Sequence, residues 1–191
     1  MRRFPVSLML CLVIASCVFA NAKAGLSYTA GHDSNNDGRF TIEIGDQTIW
    51  HFGEEGKKAT FCLILDGGMG VSFAAYDDEP HVHLDFYLGL LPGVSILFNE
   101  AMRLNISAGL RYARIGYAGD INTANSWDKT LSILTLSLMG SHPLRKIDLA
   151  LDVDLDMEIF TVGIMAGYPA LMLIEGHEDG FYASVYGTLD I

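Results

Sequence analysis

The stretch Ile147-Asp148-Leu149-Ala150-Leu151-Asp152-Val153-Asp154-Leu155-Asp156-Met157-Glu158-Ile159 alternates between apolar residues and mainly acidic ones. Successive side chains of a β-strand point to opposite faces, so the alternation predicts one long strand with an apolar face and a charged face. Strands of soluble domains are usually shorter than this. The length favours a strand of about ten residues that crosses a membrane and extends slightly beyond it.

The same period of two recurs along the chain, in Val82–Leu88, Leu104–Leu110 and Phe181–Ile191, and turn-rich segments separate the runs. The pattern predicts eight strands, at 25–32, 39–52, 58–76, 81–98, 103–117, 129–141, 146–162 and 178–191. The stretch 163–177 is ambiguous, and one more hairpin there would make ten strands. We therefore expect an all-β fold, a closed antiparallel up-and-down β-barrel of about eight strands.

The N-terminus has the features of a secretory signal peptide. Arg2 and Arg3 precede an apolar run from Val6 to Ala20, and Ala22-Lys23-Ala24 is a small-x-small cleavage pattern. We predict a signal peptide at 1–24 and an outer-membrane barrel domain at 25–191. An alternative is lipidation at Cys17, because Ile14-Ala15-Ser16-Cys17 is similar to a bacterial lipobox.

The composition combines apolar bulk with an acidic surplus. Half of the 191 residues are hydrophobic and the net charge is −11, which argues against a nucleic-acid partner. Removal of 1–24 would leave nine basic residues against 23 acidic ones, a net charge of −14. Cys62 would be the one remaining cysteine, which excludes an internal disulfide.

Alternation alone does not distinguish a membrane barrel from a soluble one, because a lipocalin-like barrel has the same period with its apolar face inside. Two features favour the membrane barrel. The predicted mature chain has only four lysines, and Thr130–Met139 carries no charge. A sheet in lipid must close, because every backbone group needs an internal partner.

Two stretches carry a family resemblance. Phe98–Tyr112 resembles a turn and the following strand of small bacterial outer-membrane β-barrels of the OmpW/OmpX/OmpA-domain type, and Phe181–Ile191 resembles their C-terminal insertion signal. The chain ends on Ile191, where these families usually end on Phe or Trp. The resemblance implies a bacterial outer-membrane location, with membrane lipid and the outer-membrane assembly machinery as partners.

One set of charged residues is predicted to line the lumen of the barrel. The acids share one face of the 147–159 strand, and arginines of the 103–117 strand are the available counter-charges. The predicted lumen-lining residues are Asp148, Asp152, Asp154, Asp156, Glu158, Arg103 and Arg111. They indicate either an ion-paired, solvated interior or a cation-selective path, which eight strands would keep narrow.

Two weaker patterns point to metal ions. His81 and His83 would point the same way from a strand, with Asp85 as a third ligand, an arrangement that some zinc sites use. Asp33, Asn35 and Asp37 match the first half of a calcium loop, but Ile44 stands where the loop needs its last glutamate. We predict no metal and no cofactor.

These observations predict a passive function. We expect a narrow porin-like or hydrophobic-solute channel, or a structural surface protein, which is not an enzyme. The chain contains serines and six histidines, but no nucleophile motif stands out around Ser72, Ser95 or Ser126. The alternatives are a soluble periplasmic ligand-binding barrel and a barrel-embedded lipid-modifying enzyme.

Overall fold

A computed structural model of the chain describes residues 21–31, 36–54, 56–76, 79–120, 144–172 and 179–190. The strands are β1 (Asn21–Gly31), β2 (Asn36–Phe52), β3 (Ala59–Tyr76), β4 (Glu79–Asn99), β5 (Met102–Asp120), β6 (Leu144–Met157), β7 (Phe160–Met172) and β8 (Asp179–Asp190). Each strand pairs antiparallel with the next, and β8 pairs with β1. The predicted closed eight-stranded barrel is confirmed. The described residues contain no helix that is long and apolar enough to cross a membrane.

The apolar faces of the strands point outward. On β6, Leu149 is 58% exposed and Leu151 is 50% exposed, whereas Asp148 and Asp152 are fully buried. The same inside–outside alternation runs along the described parts of the other strands. A soluble ligand-binding barrel needs the opposite arrangement, with apolar residues inside, so the outer surface is built to meet an apolar environment.

The alternating stretch Ile147–Ile159 does not form one strand. The predicted strand 146–162 is therefore wrong at its C-terminal end. β6 ends at Met157, and the chain reverses through Glu158 and Ile159 so that Met157 pairs with Phe160. Glu158 has a positive φ of 52°, which is uncommon for a residue other than glycine. The ambiguous stretch after 162 therefore supplies β7, and the predicted strand 129–141 lies outside the described residues.

Short turns mark one end of the barrel. Glu100 and Ala101 connect β4 to β5, Glu158 and Ile159 connect β6 to β7, and both ends of the described chain lie at this side. The interval 142–145 between the predicted strands 129–141 and 146–162 would be a turn, and β6 begins at Leu144 at the opposite end of the barrel. Short turns at one end are typical of the periplasmic side of outer-membrane barrels.

A charged side chain introduced at the middle of the outer wall should destabilise the folded barrel. Leu90, Leu110 and Leu149 are outward neighbours on β4, β5 and β6, and all three are more than half exposed. We expect Leu110→Arg to lower the free energy of unfolding in lipid vesicles by about 2–4 kcal/mol, because the guanidinium would lie in hydrocarbon. The control Leu110→Met should cost less than about 1.5 kcal/mol. Equal stability of the two variants in denaturant titrations would show that water covers this surface.

Candidate functional site

The centre of the interior is a cluster of buried ion pairs. The Lys23 ammonium lies 2.5 Å from Asp66 Oδ1, and Arg111 lies 3.8 Å from the other oxygen of the same carboxylate. Arg111 also lies 3.5 Å from Glu43. Ser27 donates a hydrogen bond to Glu43 at 2.6 Å. The cluster joins strands β1, β2, β3 and β5 across the lumen.

Three tyrosine rings surround these cations. Lys23 Nζ lies 4.1 Å from the centre of the Tyr186 ring, and the Arg111 guanidinium lies 4.1 Å from that of Tyr87 and 4.9 Å from that of Tyr182. A cation over an aromatic face is attracted by the electron-rich ring, and more strongly where water is absent. The rings therefore stabilise charges that have left water and also fill the lumen.

Glycines on β7 make room for two of the rings. Gly163 is the cross-strand partner of Tyr186, and Gly167 is that of Tyr182. A Cβ atom at either glycine would overlap the facing ring. The two tyrosines can lie against the wall only because the neighbouring strand has no side chain there.

The acidic row of β6 is stabilised in two ways. Lys146 pairs with Asp148 at 3.3 Å. Asp152 instead accepts hydrogen bonds from the Tyr186 hydroxyl at 2.8 Å and from Gln47 at 3.2 Å. Asp154 accepts one from Asn105 at 2.7 Å. Among the described residues neither Asp152 nor Asp154 has an ion pair, so neutral donors stabilise both carboxylates.

A further network lies toward the end opposite the short turns. Arg39 Nε is 3.6 Å from Asp85 Oδ2, and Ser72 donates a hydrogen bond to the same oxygen. Ser72 also bonds the Thr41 hydroxyl at 2.7 Å. Although His83 is the cross-strand partner of Ser72, the serine hydroxyl is directed to a carboxylate.

The interior is largely filled. Ile64, Leu91 and Met165 are buried and pack with Ala150, Tyr182 and Tyr186 into one apolar cluster inside the barrel. The space between Arg39, Arg111, Lys146 and their neighbours measures about 20 Å³, which holds roughly one water molecule. Eight strands leave a lumen narrow enough for side chains to occupy most of it.

The predicted lumen residues divide into three groups. Asp148, Asp152, Asp154 and Arg111 are buried inside the barrel. Arg103 and Asp156 are cross-strand partners near the short turns and are partly exposed. Glu158 lies in the β6–β7 turn and is exposed, so its assignment to the lumen wall is wrong. Arg111 is the register partner of Asp148 but forms its ion pairs with acids of β2 and β3.

The two weak metal-binding patterns stay largely untested. His83 and Asp85 are buried inside the barrel. The side chains of His81 and Asp37 lie outside the described residues, as do Asp33 and Asn35 entirely. Within the described ranges, no three His, Cys, Asp or Glu side chains come together as a metal site would require.

Several interior residues were not predicted from the sequence. Lys23 was assigned to the signal peptide, although it lies on β1 in the barrel. Glu43 and Gln47 alternate with Phe40, Ile42 and Ile44 on β2, and this period of two could have identified them. Asp66 gave no such signal, because it follows apolar residues on both faces of β3.

Comparisons with known proteins agree with the fold. No protein-family model and no curated protein matches the chain. The solved structure of the outer membrane enzyme PagL matches with a TM-score of 0.53 and 12% identity, covering 88% of this chain and 99% of that one. Neisserial surface protein A (NspA) matches with a TM-score of 0.52 and 10% identity over 90% and 95% of the two chains.

Another similar structure is Ail, the attachment invasion locus protein of Yersinia pestis, with a TM-score of 0.43 and 12% identity over 88% of this chain and 92% of that one. Identities this low show the fold alone. The chain therefore has the eight-stranded barrel fold of small outer-membrane proteins, and the narrower resemblance to OmpW, OmpX or OmpA stays a prediction.

Substitutions of Asp66 and Lys23, two members of the central ion-pair cluster, should lower the free energy of unfolding by different amounts. We expect Asp66→Asn to destabilise the barrel by about 3–5 kcal/mol, because it leaves the Lys23 ammonium buried without its carboxylate. Lys23→Met should cost less, since Asp66 keeps Arg111. Unfolding in urea measures both variants and the double variant. Equal costs for the two single variants would show that Arg111 does not compensate.

The tyrosine–glycine contacts can be tested by comparing the same glycine-to-alanine substitution on the inner and outer faces of the wall. Gly163→Ala should destabilise the barrel by about 1–3 kcal/mol, because the added methyl group must displace the Tyr186 ring. Gly187 is the control, since it faces outward on β8 and a Cβ there would lie 3.7 Å from its nearest neighbour. Urea titration of Gly163→Ala and Gly187→Ala in the same vesicles gives the difference. A tolerated Gly163→Ala would mean that the ring does not pack against β7.

Proposed function

We propose that this protein is a closed outer-membrane barrel, a structural or surface protein of the bacterial outer membrane that does not conduct ions and is not an enzyme. Its apolar wall contacts membrane lipid, and the outer-membrane assembly machinery inserts it. The observation that carries the proposal is the side-chain barrier inside the barrel, where Lys23, Asp66, Arg111 and Glu43 meet.

Charge and packing both support a closed interior. The ion pairs cross the lumen from several strands, and the three tyrosine rings occupy the space between them. A conducting ion would have to separate buried pairs or displace packed rings, and each of these steps is costly. The cavity beside Arg39, Arg111 and Lys146 measures about 20 Å³, which is room for water rather than for a hydrated ion.

The porin-like hypothesis is the second candidate, and the β6 acids are the observation that favours it. Asp152 and Asp154 are buried without an ion pair among the described residues, so they would attract a cation that reached them. If the interior opens, these two carboxylates should determine which ions enter.

The non-enzymatic part of the proposal rests on the interior serine. Ser72 is fully buried, with its hydroxyl hydrogen-bonded to Asp85, whereas a serine nucleophile needs an open approach for the substrate. PagL, which has a similar fold, is named an outer membrane enzyme. Incubation of the purified barrel with labelled outer-membrane lipid, with Ser72→Ala as control, tests the alternative. Lipid turnover that Ser72→Ala abolishes would overturn the non-enzymatic assignment.

Conductance separates the closed barrel from the channel. We expect no stable current steps from the wild-type protein in planar bilayers, because buried ion pairs and tyrosine rings cross the lumen at the central cluster. Heat-modifiable gel migration of the same sample shows that the protein is folded, so silence is not a failure of preparation. Regular current steps would overturn the closed-barrel proposal. If Asp152→Asn together with Asp154→Asn then removed a cation preference, the porin-like function would replace it.

A further inference from the structure

We propose that the precursor is cleaved after Ala20, so that the mature protein begins at Asn21 and keeps Lys23. The sequence pattern alone favoured a cut after Ala24, which would remove Lys23 with the signal peptide. The N-terminal segment is a signal peptide in both cases, and only its last residue differs. It is independent of whether the barrel conducts.

The charge of the interior favours retention of Lys23. Among the described residues, six buried carboxylates face four buried cations, and Lys23 is one of the four. A cut after Ala24 would leave three cations for six carboxylates. Asp66 would also lose its partner at 2.5 Å and would keep only Arg111, at 3.8 Å, so its buried carboxylate would be less well compensated.

Closure of the barrel also requires residues 21–24. Residues 21–24 are the first four of the eleven residues of β1. Ala22, Lys23 and Ala24 pair with Leu189, Thr188 and Gly187 of β8 on one side and with residues 44–46 of β2 on the other. Without them, the ends of these two strands would face each other across a gap. Unpaired backbone groups are costly at the surface of a barrel in lipid.

The sequence before the proposed cut fits a signal peptidase site. Val18-Phe19-Ala20 places a small residue directly before the cut and a short aliphatic residue two positions earlier, which is close to the small-x-small pattern of signal peptidase sites. The apolar run that began at Val6 ends at the same point. Cleavage there removes Cys11 and Cys17 and leaves Cys62, which is buried and free, as the one cysteine of the mature chain.

Two alanines provide a matched pair of variants for the test. Ala20 lies directly before the proposed cut, and Ala24 lies directly before the alternative one. Ala24 is exposed on the outward face of β1, where a leucine would add to the apolar wall. A large residue immediately before a cut blocks signal peptidase. We therefore expect Ala20→Leu to accumulate uncleaved precursor and Ala24→Leu to be processed like the wild type.

The decisive measurement is the N-terminus of the wild-type protein, expressed from the full chain in a bacterium with an outer membrane and isolated from that membrane. Intact mass and N-terminal sequencing should give Asn21. The mass of mature Lys23→Met should differ from that of wild type, because residue 23 is retained. These readouts do not depend on the stability of any variant.

Other results would overturn the proposal. A mature protein that begins at Gly25, with precursor accumulating for Ala24→Leu and not for Ala20→Leu, would show that the barrel closes without Lys23. A mature protein that begins at a lipidated Cys17, detected by its added mass and by labelling with a fatty acid, would show that signal peptidase does not cut after Ala20.

Discussion

The interior of this barrel obeys one constraint: each charge placed inside must be stabilised by another side chain inside. Asp66 is the residue on which this arrangement depends, because it meets Lys23 from β1 and Arg111 from β5. Removal of two charges from water is costly, and only close geometry with further contacts offsets that cost. The tyrosines supply the further contacts, since their rings lie beside both cations.

The same constraint explains the composition. The wall has two faces of opposite character, because most of its apolar residues point outward and most of its buried charges point inward. Apolar and acidic residues are interleaved along β6, and the sheet separates them, with Leu149 and Leu151 outside and Asp148 and Asp152 inside. The apolar bulk and the acidic surplus therefore belong to opposite faces of one wall. The acids that lack cations are stabilised by an amide or a tyrosine hydroxyl instead.

The period of two predicted the fold class and most of the inward positions on β6, because the pleat of a strand is a local property of the chain. It did not predict the turn at Glu158 and Ile159. These two residues continue the polar–apolar alternation, and neither is a glycine, proline or asparagine that would mark a reversal. The positive φ of Glu158 is imposed by the pairing of Met157 with Phe160, a contact of the folded barrel. The count of eight matches, but the set of strands differs, because β7 comes from the end of the predicted strand 146–162 and the ambiguous stretch, and the predicted strand 129–141 lies outside the described residues.

The ion-pair partners inside the lumen could not be predicted from the sequence, for a different reason. Register places Arg111 opposite Asp148, yet its guanidinium extends across the lumen to Glu43 and Asp66 on strands that are not its neighbours. Such contacts depend on the curvature of the closed sheet, which no local pattern encodes. Lys23 is the clearest example of a contact that local sequence does not encode. In the sequence, a lysine between two alanines matches a cleavage pattern, whereas in the folded barrel its ammonium lies against Asp66. The cation that the sequence assigned to the discarded segment is the one that the centre of the fold requires.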